Sequence, residues 1–274
     1  MSETSYRALF DLGGKTAVIT GACGILGRRF AMGLAEFGAA VALVDLDQAA
    51  TDALAAEITQ RHKVRALGIA CDIAEPAAVA RMADRVESAL GTPTILMNNA
   101  ATKGSSIDAC FAPLESFTLE TWREIMAVNL DGMFLVAQAL GTRMAEHGRG
   151  SIIQTASIYG LLAPDQRIYE GSEYNGRAIN TPPVYTASKA GVIGLTRHLA
   201  TYWAARGVRV NTLTPGGVAS GQNNEFNRRY SARIPLGRMA EAEDMVGAAV
   251  FLASDASRYV TGQNIVVDGG LSAW

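Results

Sequence analysis

The sequence predicts an α/β fold in which a parallel sheet of about seven strands is covered by helices on both faces. Short apolar, β-branched runs alternate along the chain with longer helical patterns, and no linker or repeat interrupts them. The first run leads into a glycine-rich turn, which is typical of nucleotide-binding sheets. With 274 residues, the chain has the length of one α/β domain, 1–274.

The predicted strands are short and apolar. The first, K-T-A-V-I-T at 15–20, has the unbroken apolar pattern of a strand buried on both faces. A glycine-rich turn and an amphipathic helix that ends at Gly38 follow it. Six further strands are predicted at 39–45, 64–72, 93–100, 150–157, 207–216 and 263–270.

Helical patterns separate these strands. The pair Glu75-Pro76 is a favourable helix start, because proline suits the first helical turn. A variable loop is expected after the sixth strand. Successive β-α units predict right-handed crossovers and a doubly wound sheet. Beyond the first, helices are predicted near 47–61, 75–90, 119–146, 185–206 and 241–253.

A dinucleotide site is predicted at the first strand–helix turn. Gly21, Gly24 and Gly27 lie in this turn, where glycine lets the backbone approach a pyrophosphate at the positive helix N-terminus. The second strand ends at Asp45, about where dinucleotide-binding folds place the carboxylate for the adenosine ribose.

Asp45 also indicates which dinucleotide binds. A carboxylate accepts hydrogen bonds from a free 2′-hydroxyl and repels a 2′-phosphate. Neither Cys23 nor Leu46 supplies a cation to offset that repulsion, and Arg28 and Arg29 are expected on a solvated helix face. The sequence therefore favours NAD over NADP.

Tyr185 and Lys189, in the run Y-T-A-S-K, form a candidate acid–base pair. A phenol is a poor proton acceptor at neutral pH, because its ordinary pKa is about 10. A lysine four residues further along a helix lies one turn away on the same face. Its charge is expected to favour the phenolate and to lower the pKa of Tyr185.

Composition excludes several other classes of protein. The net charge of −2 gives no footprint for nucleic acid, and no apolar run reaches the length of a bilayer span. The first ten residues lack the pattern of a signal peptide. Cys23, Cys71 and Cys110 have no metal-site spacing and indicate reduced thiols in a cytoplasmic protein. No metal is expected.

Taken together, these elements resemble the short-chain dehydrogenase/reductase family, in its compact, single-domain branch with a Rossmann-type fold. The resemblance covers nearly the whole chain. It rests on T-G-A-C-G-I-L-G at 20–27, Asp72, N-N-A-A at 98–101, Asn129, Ser157, Y-T-A-S-K at 185–189 and P-G-G-V at 215–218.

The resemblance implies a role for each catalytic position. Tyr185 is implied as the acid–base and Lys189 as the residue that lowers its pKa and holds the nicotinamide ribose. Ser157 would polarise the substrate oxygen, and Asn129 would hold a water in a proton relay. Taken alone, Ser157 could equally be a turn serine at a strand end, and Asn129 a helix-interior asparagine bonded to backbone.

The resemblance also implies the cofactor contacts. Asp72 and Ile73 match positions beside the adenine, and 215–218 matches the loop near the carboxamide. The full set of expected NAD contacts is Gly21, Cys23, Gly24, Ile25, Leu26, Gly27, Asp45, Leu46, Asp72, Ile73, Asn99, Ala100, Ala101, Tyr185, Lys189, Pro215, Gly216, Gly217 and Val218.

Two features depart from the family pattern. Ile25 stands where the compact branch has its middle glycine, and the resulting spacing resembles the extended branch of epimerases and dehydratases. Too few residues follow Lys189 for the substrate domain of that branch. The stretch between Ser157 and Tyr185 is about twice the usual length, and we expect this insertion, 158–184, to build part of the substrate pocket.

The insertion favours a polar substrate, a sugar or sugar acid, over an acyl chain. Its hydrogen-bonding side chains are Asp165, Gln166, Arg167, Glu170, Glu173, Asn175 and Arg177. The expected activity is NAD-dependent interconversion of a secondary alcohol and a ketone. The alternatives are a 3-oxoacyl-carrier-protein reductase, an NAD-dependent epimerase or dehydratase, and a non-catalytic nucleotide sensor.

A homotetramer is expected from surplus apolar residues on two helices. One face of each helix must cover the sheet, and the remainder predicts contact with a second copy. A purely intramolecular role for both helices is the alternative. The residues are Met126, Met133, Phe134, Leu135, Ile193, Leu195 and Trp203, with Trp274 at the C-terminus.

Overall fold

A seven-stranded parallel sheet forms the centre of the computed structural model, which describes residues 5–174 and 176–274. Strands β6 and β7 pair separately as a small antiparallel hairpin. The strands are β1 (Thr16–Thr20), β2 (Ala40–Asp45), β3 (Ala66–Ala70), β4 (Ile95–Asn98), β5 (Gly150–Thr155), β6 (Glu173–Tyr174), β7 (Arg177–Ala178), β8 (Val208–Pro215) and β9 (Asn264–Val267).

The strand order in the sheet is β3-β2-β1-β4-β5-β8-β9, and every neighbouring pair is parallel. The order reverses direction between β1 and β4, which opens a crevice at the carboxyl ends of these strands. The doubly wound Rossmann-type sheet predicted from the sequence is confirmed.

Helices cover both faces of the sheet. Helices α1, α2 and α9 share one apolar cluster with the sheet, and α3, α6 and α7 share the other. The helices are α1 (Ile25–Glu36), α2 (Gln48–His62), α3 (Pro76–Leu90), α4 (Ile107–Cys110), α5 (Leu119–Met126), α6 (Met133–Glu146), α7 (Pro183–Trp203), α8 (Asn224–Ser231) and α9 (Val246–Ala253).

Strand β1 shows why the apolar runs form the centre. All five of its residues are buried. Val18 packs with the helices α3, α6 and α7 on one face of the sheet, and the next residue, Ile19, packs with α1, α2 and α9 on the other. A strand with helices on both faces needs apolar residues at consecutive positions rather than at alternate ones.

The helix predicted at 119–146 is interrupted by a π-helical segment, Ala127–Gly132, which joins α5 to α6. Among the described residues, this helix is the one whose length and apolar composition would also suit a membrane span. It instead packs against β4, β5, α3 and α7 as a core helix of the domain.

The prediction of a loop after β8 was wrong in part, because this segment contains helix α8. The side chain of Asn223 caps this helix by accepting a hydrogen bond from the Phe226 backbone N–H at 3.0 Å. Phe226 and Tyr230 are buried one turn apart, so an apolar i, i+4 pair after a capping asparagine was the available signal.

The apolar residues used to predict an oligomer divide into two groups. Met133, Ile193 and Trp203 are buried within the chain's own core, and Met126 packs half-buried against it, so none of the four is surplus. Phe134 is 41% exposed, and it lines a surface hollow with Leu130, Leu135 and Leu195, which we call the α6–α7 surface. Trp274 is also exposed.

Candidate active site

A cavity of about 430 Å³ lies at the carboxyl ends of β4, β5 and β8. This is where an open α/β sheet binds its ligands, because the loops that follow the strands diverge there. Ten of the residues predicted from the sequence line it: Leu26, Asn99, Ala101, Ser157, Tyr185, Lys189, Pro215, Gly216, Gly217 and Val218.

The other predicted residues lie outside the cavity lining. Most belong to the glycine-rich turn or to the ends of β2 and β3, along the adenosine side that the sequence predicted, and Asn129 lies behind the cavity in the π-helical segment. These residues are Gly21, Cys23, Gly24, Ile25, Gly27, Asp45, Leu46, Asp72, Ile73, Ala100 and Asn129.

Tyr185 and Lys189 lie one turn apart near the start of α7. Lys189 is buried, and its Nζ donates a hydrogen bond to the Thr155 carbonyl at 3.0 Å. The same Nζ lies 5.9 Å from the centre of the Tyr185 ring. The end of β5 therefore fixes the lysine, and the lysine places a cation beside the phenol.

Burial controls the pKa values of both groups. It lowers the pKa of Lys189 to about 8, because a buried ammonium loses its hydration. Burial also raises the pKa of Tyr185, while a hydrogen bond with Ser157 acts in the opposite direction. The expected net lowering of the Tyr185 pKa was wrong for this state of the site, because desolvation penalises the phenolate.

Ser157 follows β5 and is buried at the cavity wall. Its Oγ accepts a hydrogen bond from the Tyr159 backbone N–H at 3.2 Å and begins a short turn at Ile158–Gly160. The turn role and the position beside Tyr185 are both present. A hydroxyl held this way accepts with its oxygen and still has its own proton to donate.

Asn129 is fully buried in the π-helical segment. Its Oδ1 accepts a hydrogen bond from the Thr102 N–H at 2.7 Å, and its Nδ2 donates to the Thr102 carbonyl at 3.3 Å. The side chain thus makes the backbone contacts that the sequence left as an alternative, and it ties the central helix to the loop after β4. A role in proton relay stays a prediction.

The glycine-rich turn has little room for side chains. Gly21 has φ +63°, and a Cβ there would lie 2.9 Å from the Ala100 Cα. A Cβ on Gly27 would lie 1.9 Å from the Gly21 carbonyl oxygen. Both positions therefore require glycine, so that β1, α1 and the loop after β4 can pack closely.

Helix α1 begins at Ile25 with Gly24 as its N-cap, and no side chain caps it. The first backbone N–H groups of the helix therefore remain available to an anion. Ile25, which replaces the expected glycine, is 53% exposed. The substitution places an apolar side chain at the surface of the turn and leaves the helix start intact.

Asp45 ends β2 and lies against this turn. Its carboxylate accepts hydrogen bonds from the Cys23 N–H at 2.9 Å and the Leu46 N–H at 2.8 Å. A carboxylate has about four acceptor positions, so others remain for a diol. Burial and the Asp45 charge both raise the pKa of the Cys23 thiol.

The two arginines near the turn are paired with acids. Arg28 forms a salt bridge with Glu57 at 2.5 Å, and Arg29 forms one with Glu243 at 2.7 Å. Their solvent-side placement agrees with the sequence interpretation, and neither guanidinium is free of an acidic partner.

Asp72 and Ile73 follow β3 and differ in orientation. Asp72 is exposed, and its carboxylate accepts a hydrogen bond from the Ala74 N–H at 2.9 Å. The Ile73 side chain is buried against Gly132, so only the backbone of this residue could contact a cofactor.

The insertion 158–184 forms part of the cavity wall through residues other than those predicted. None of the six described members of the predicted polar set lines the cavity, and Asn175 lies outside the described residues. Several of the six form ion pairs elsewhere: Asp165 with Arg167, Glu170 with Arg229, and Arg177 with Asp108. The insertion residues on the wall are Ile158, Tyr159, Tyr174, Ile179, Asn180, Thr181, Pro182 and Val184.

Sequence reasoning missed several groups that shape the site. Thr20 Oγ1 accepts hydrogen bonds from the Asn99 and Ala100 N–H groups at 2.9 and 3.1 Å, which joins β1 to the loop after β4. Tyr230 Oη accepts one from the Gly217 N–H at 2.8 Å. Tyr230 lies in the helix that was predicted as a loop, so nothing in the sequence analysis connected it to 215–218.

Comparison with known proteins places this geometry in a family. A family model described as enoyl-(acyl carrier protein) reductase matches residues 21–272. D-threitol dehydrogenase of Mycolicibacterium smegmatis is 39% identical over an alignment of 273 residues, and the match covers 98% of this chain and 96% of that protein. The chain belongs to the short-chain dehydrogenase/reductase family. It is therefore an NAD(P)-dependent oxidoreductase that acts on hydroxyl groups.

Two further relatives resemble this short-chain dehydrogenase/reductase along their whole length. Galactitol 2-dehydrogenase of Cereibacter sphaeroides is 36% identical, with 98% of this chain and 99% of that protein covered. The crystal structure of a gluconate 5-dehydrogenase from Burkholderia cenocepacia, in complex with NADP and tartrate, has a TM-score of 0.85 and 34% identity. That comparison covers 97% of this chain and 98% of the other.

Proposed function

We propose that this enzyme interconverts a secondary alcohol and a ketone on a polar sugar or sugar acid, with NAD as its cofactor. The observation that carries the proposal is the joint placement of Tyr185, Lys189 and Ser157 on one cavity at the ends of β4, β5 and β8. Residues 1–274 act as one dinucleotide-binding and catalytic domain in this account.

The residues of the turn fit a dinucleotide. The uncapped start of α1 offers backbone N–H donors for a pyrophosphate, and Gly21 and Gly27 keep the approach clear of Cβ atoms. Asp45 has acceptor positions for ribose hydroxyls. The bound nicotinamide supplies the hydride acceptor in alcohol oxidation.

The protein's part in the reaction is orientation and proton transfer. Tyr185 Oη takes the proton of the substrate hydroxyl in oxidation and returns it to the carbonyl oxygen in reduction. Ser157 Oγ donates a hydrogen bond to the same oxygen. Lys189 holds a positive charge beside the phenol and would contact the nicotinamide ribose, and Asn129 would support a proton relay behind it.

NAD is favoured over NADP because the described residues at the expected adenosine site include an acid and no unpaired cation. Asp45 would repel a 2′-phosphate, Leu46 is exposed and apolar, and Arg28 and Arg29 are already paired. The gluconate 5-dehydrogenase named above was crystallised with NADP, so relatives do not decide the choice.

The names of the relatives support a polyol or sugar acid, since D-threitol and galactitol are sugar alcohols and gluconate is a sugar acid. The cavity wall carries hydroxyl and amide groups suited to such a molecule, including Tyr159, Asn180, Thr181 and Ser220. The family model's description names an acyl-carrier-protein reductase instead, and reduction of an acyl substrate is therefore the second candidate function.

We further propose a cytoplasmic homotetramer. The three cysteines are free thiols, as expected in a reducing compartment. The α6–α7 surface, with Leu130, Phe134, Leu135 and Leu195 around its hollow, offers the apolar contact for a second copy.

A substrate screen tests the proposed function. Sugar alcohols, sugar acids and 3-oxoacyl thioesters are offered with each of the four nicotinamide cofactor forms, and the change in nicotinamide absorbance is followed. We expect net turnover with a polyol or sugar acid and NAD. Turnover confined to the acyl thioesters would establish the second candidate, and product formed without net NADH would indicate an epimerase or dehydratase.

A further inference from the structure

The charges on the cavity wall are unbalanced. Among the described residues that line the cavity, two are cationic, Lys103 and Lys189, and none is acidic. Lys189 is fixed on the Thr155 carbonyl beside Tyr185, where the proposed chemistry uses it. Lys103 lies in the loop after β4 and has no part in that chemistry.

Lys103 makes no salt bridge with any described residue. Its Nζ lies 3.8 Å from the centre of the Tyr174 ring and 5.9 Å from that of Phe111, so aromatic faces hold the ammonium. Two acids of the same part of the chain are engaged elsewhere. Glu124 accepts a hydrogen bond from the Ser105 N–H at 2.6 Å, and Asp108 pairs with Arg177.

Asn180 lines the same cavity and carries an unused acceptor. Its Nδ2 donates a hydrogen bond to the Phe111 carbonyl at 2.9 Å, which fixes the amide. Its Oδ1 is buried and has no hydrogen-bond partner among the described residues. A buried acceptor of this kind is costly unless a ligand or water donates to it.

Phe111 joins these two groups into one subsite, because its ring lies beneath the Lys103 ammonium and its carbonyl holds Asn180. A cation and a hydrogen-bond acceptor on one cavity wall match a carboxylate and a hydroxyl of the same ligand. Lys103 is an exposed residue at the cavity edge, and a neutral polyol would supply the hydroxyl without using its charge.

We propose that Lys103 binds the carboxylate of a polyhydroxy acid, and that Asn180 Oδ1 accepts a hydrogen bond from one of its hydroxyls. The proposal rests on the proposed function, and it narrows the substrate class from sugars and sugar acids to the acids. Tyr174 and Phe111 keep the ammonium in the cavity wall.

Calorimetric titration of the enzyme–NADH complex tests this with a binding readout that needs no turnover. The probes are D-gluconate and D-glucitol, which share a six-carbon polyol chain and differ in the carboxylate. Wild type is expected to bind D-gluconate more tightly. Lys103→Met should weaken D-gluconate binding about 10- to 100-fold and leave D-glucitol unchanged, and Lys103→Arg should restore most of the loss.

Two further variants separate charge from packing. Lys63→Met removes an exposed lysine outside the cavity and should change neither affinity. Asn180→Leu should weaken both ligands alike, because both carry the hydroxyl. If it weakens neither, Asn180 has no place in the subsite.

The carboxylate assignment would be overturned if wild type bound the two probes equally, or if Lys103→Met left the affinity for D-gluconate unchanged. Tighter binding of D-glucitol 6-phosphate than of D-gluconate would also overturn it. A Lys103-dependent preference for D-gluconate without turnover of any alcohol would support the subsite and contradict the proposed function. Turnover of polyols and acids that Lys103→Met does not change would support the proposed function and contradict the subsite.

Discussion

The Lys189 ammonium lies 5.9 Å from the centre of the Tyr185 ring and donates a 3.0 Å hydrogen bond to the Thr155 carbonyl. This relationship places a buried ammonium beside a half-buried phenol. Burial favours the neutral lysine and the neutral phenol, while the charge pair favours the ammonium and the phenolate. The phenolate therefore depends on the Lys189 cation, although burial lowers the pKa of that lysine to about 8.

The pH dependence of alcohol oxidation should report this pair. Activity requires the phenolate as proton acceptor, and burial raises the pKa of Tyr185, so kcat/KM is expected to rise with pH. Lys189→Met removes the cation that favours the phenolate, and the rising limb should move about 1–3 pH units higher. Lys189→Arg, which keeps the charge, should shift it less. An unchanged limb in Lys189→Met would exclude the lysine from control of the phenol.

The stability of the fold should also depend on Lys189. Its pKa falls from 10.5 in the unfolded chain to about 8 in the folded protein. Between these pH values the unfolded chain binds more protons, so the free energy of unfolding rises with pH across that window. Lys189→Met should lack this rise, which denaturant unfolding of both proteins at pH 8 and pH 10 would measure. The predicted difference is about 2–3 kcal/mol. Parallel pH dependence in the two proteins would contradict the burial of a titrating lysine.

Cofactor choice should respond to Asp45. Asp45→Ser combined with Leu46→Arg removes the repulsion of a 2′-phosphate and adds a guanidinium at an exposed position, so the ratio of kcat/KM for NADP to that for NAD should rise about 100-fold or more. Leu46→Arg alone serves as the control and should produce a smaller change. A wild-type enzyme that already prefers NADP would show that Asp45 was misread.

Assembly should depend on the α6–α7 surface. Phe134→Glu places a charge on this surface, at a side chain that is 41% exposed in the isolated chain, and we expect sedimentation to change from a tetramer to a smaller species. Tyr6→Glu, at an exposed aromatic residue elsewhere, should leave the tetramer intact. A wild-type protein that sediments only as a monomer at micromolar concentration would contradict the tetramer.

The fold could be predicted closely from local patterns. Consecutive apolar residues such as those of β1 are buried on both faces, and Gly21 and Gly27 mark backbone approaches that a Cβ would block. The candidate site followed from the same logic, because residues at the ends of β5 and the start of α7 converge at one edge of the sheet.

The substrate side could not be predicted in the same way. The charged residues of the insertion looked available in the sequence, yet Arg167 and Arg177 pair with Asp165 and Asp108 at the surface. Asp108 lies far from Arg177 along the chain, so no local pattern reveals that pair. The cation that does line the cavity, Lys103, stood next to the N-N-A-A segment, but only the fold brings it to Tyr174 and Phe111.

The central claim is that the Tyr185 hydroxyl transfers the proton in an NAD-dependent alcohol oxidation. The most direct measurement compares wild type with Tyr185→Phe, using steady-state turnover of the substrate found by the screen and NADH binding followed by fluorescence. The phenyl ring keeps the packing of Tyr185 and deletes the titrating group, so kcat should fall about 10²- to 10⁴-fold while NADH affinity is unchanged. Turnover within about tenfold of wild type would contradict the account.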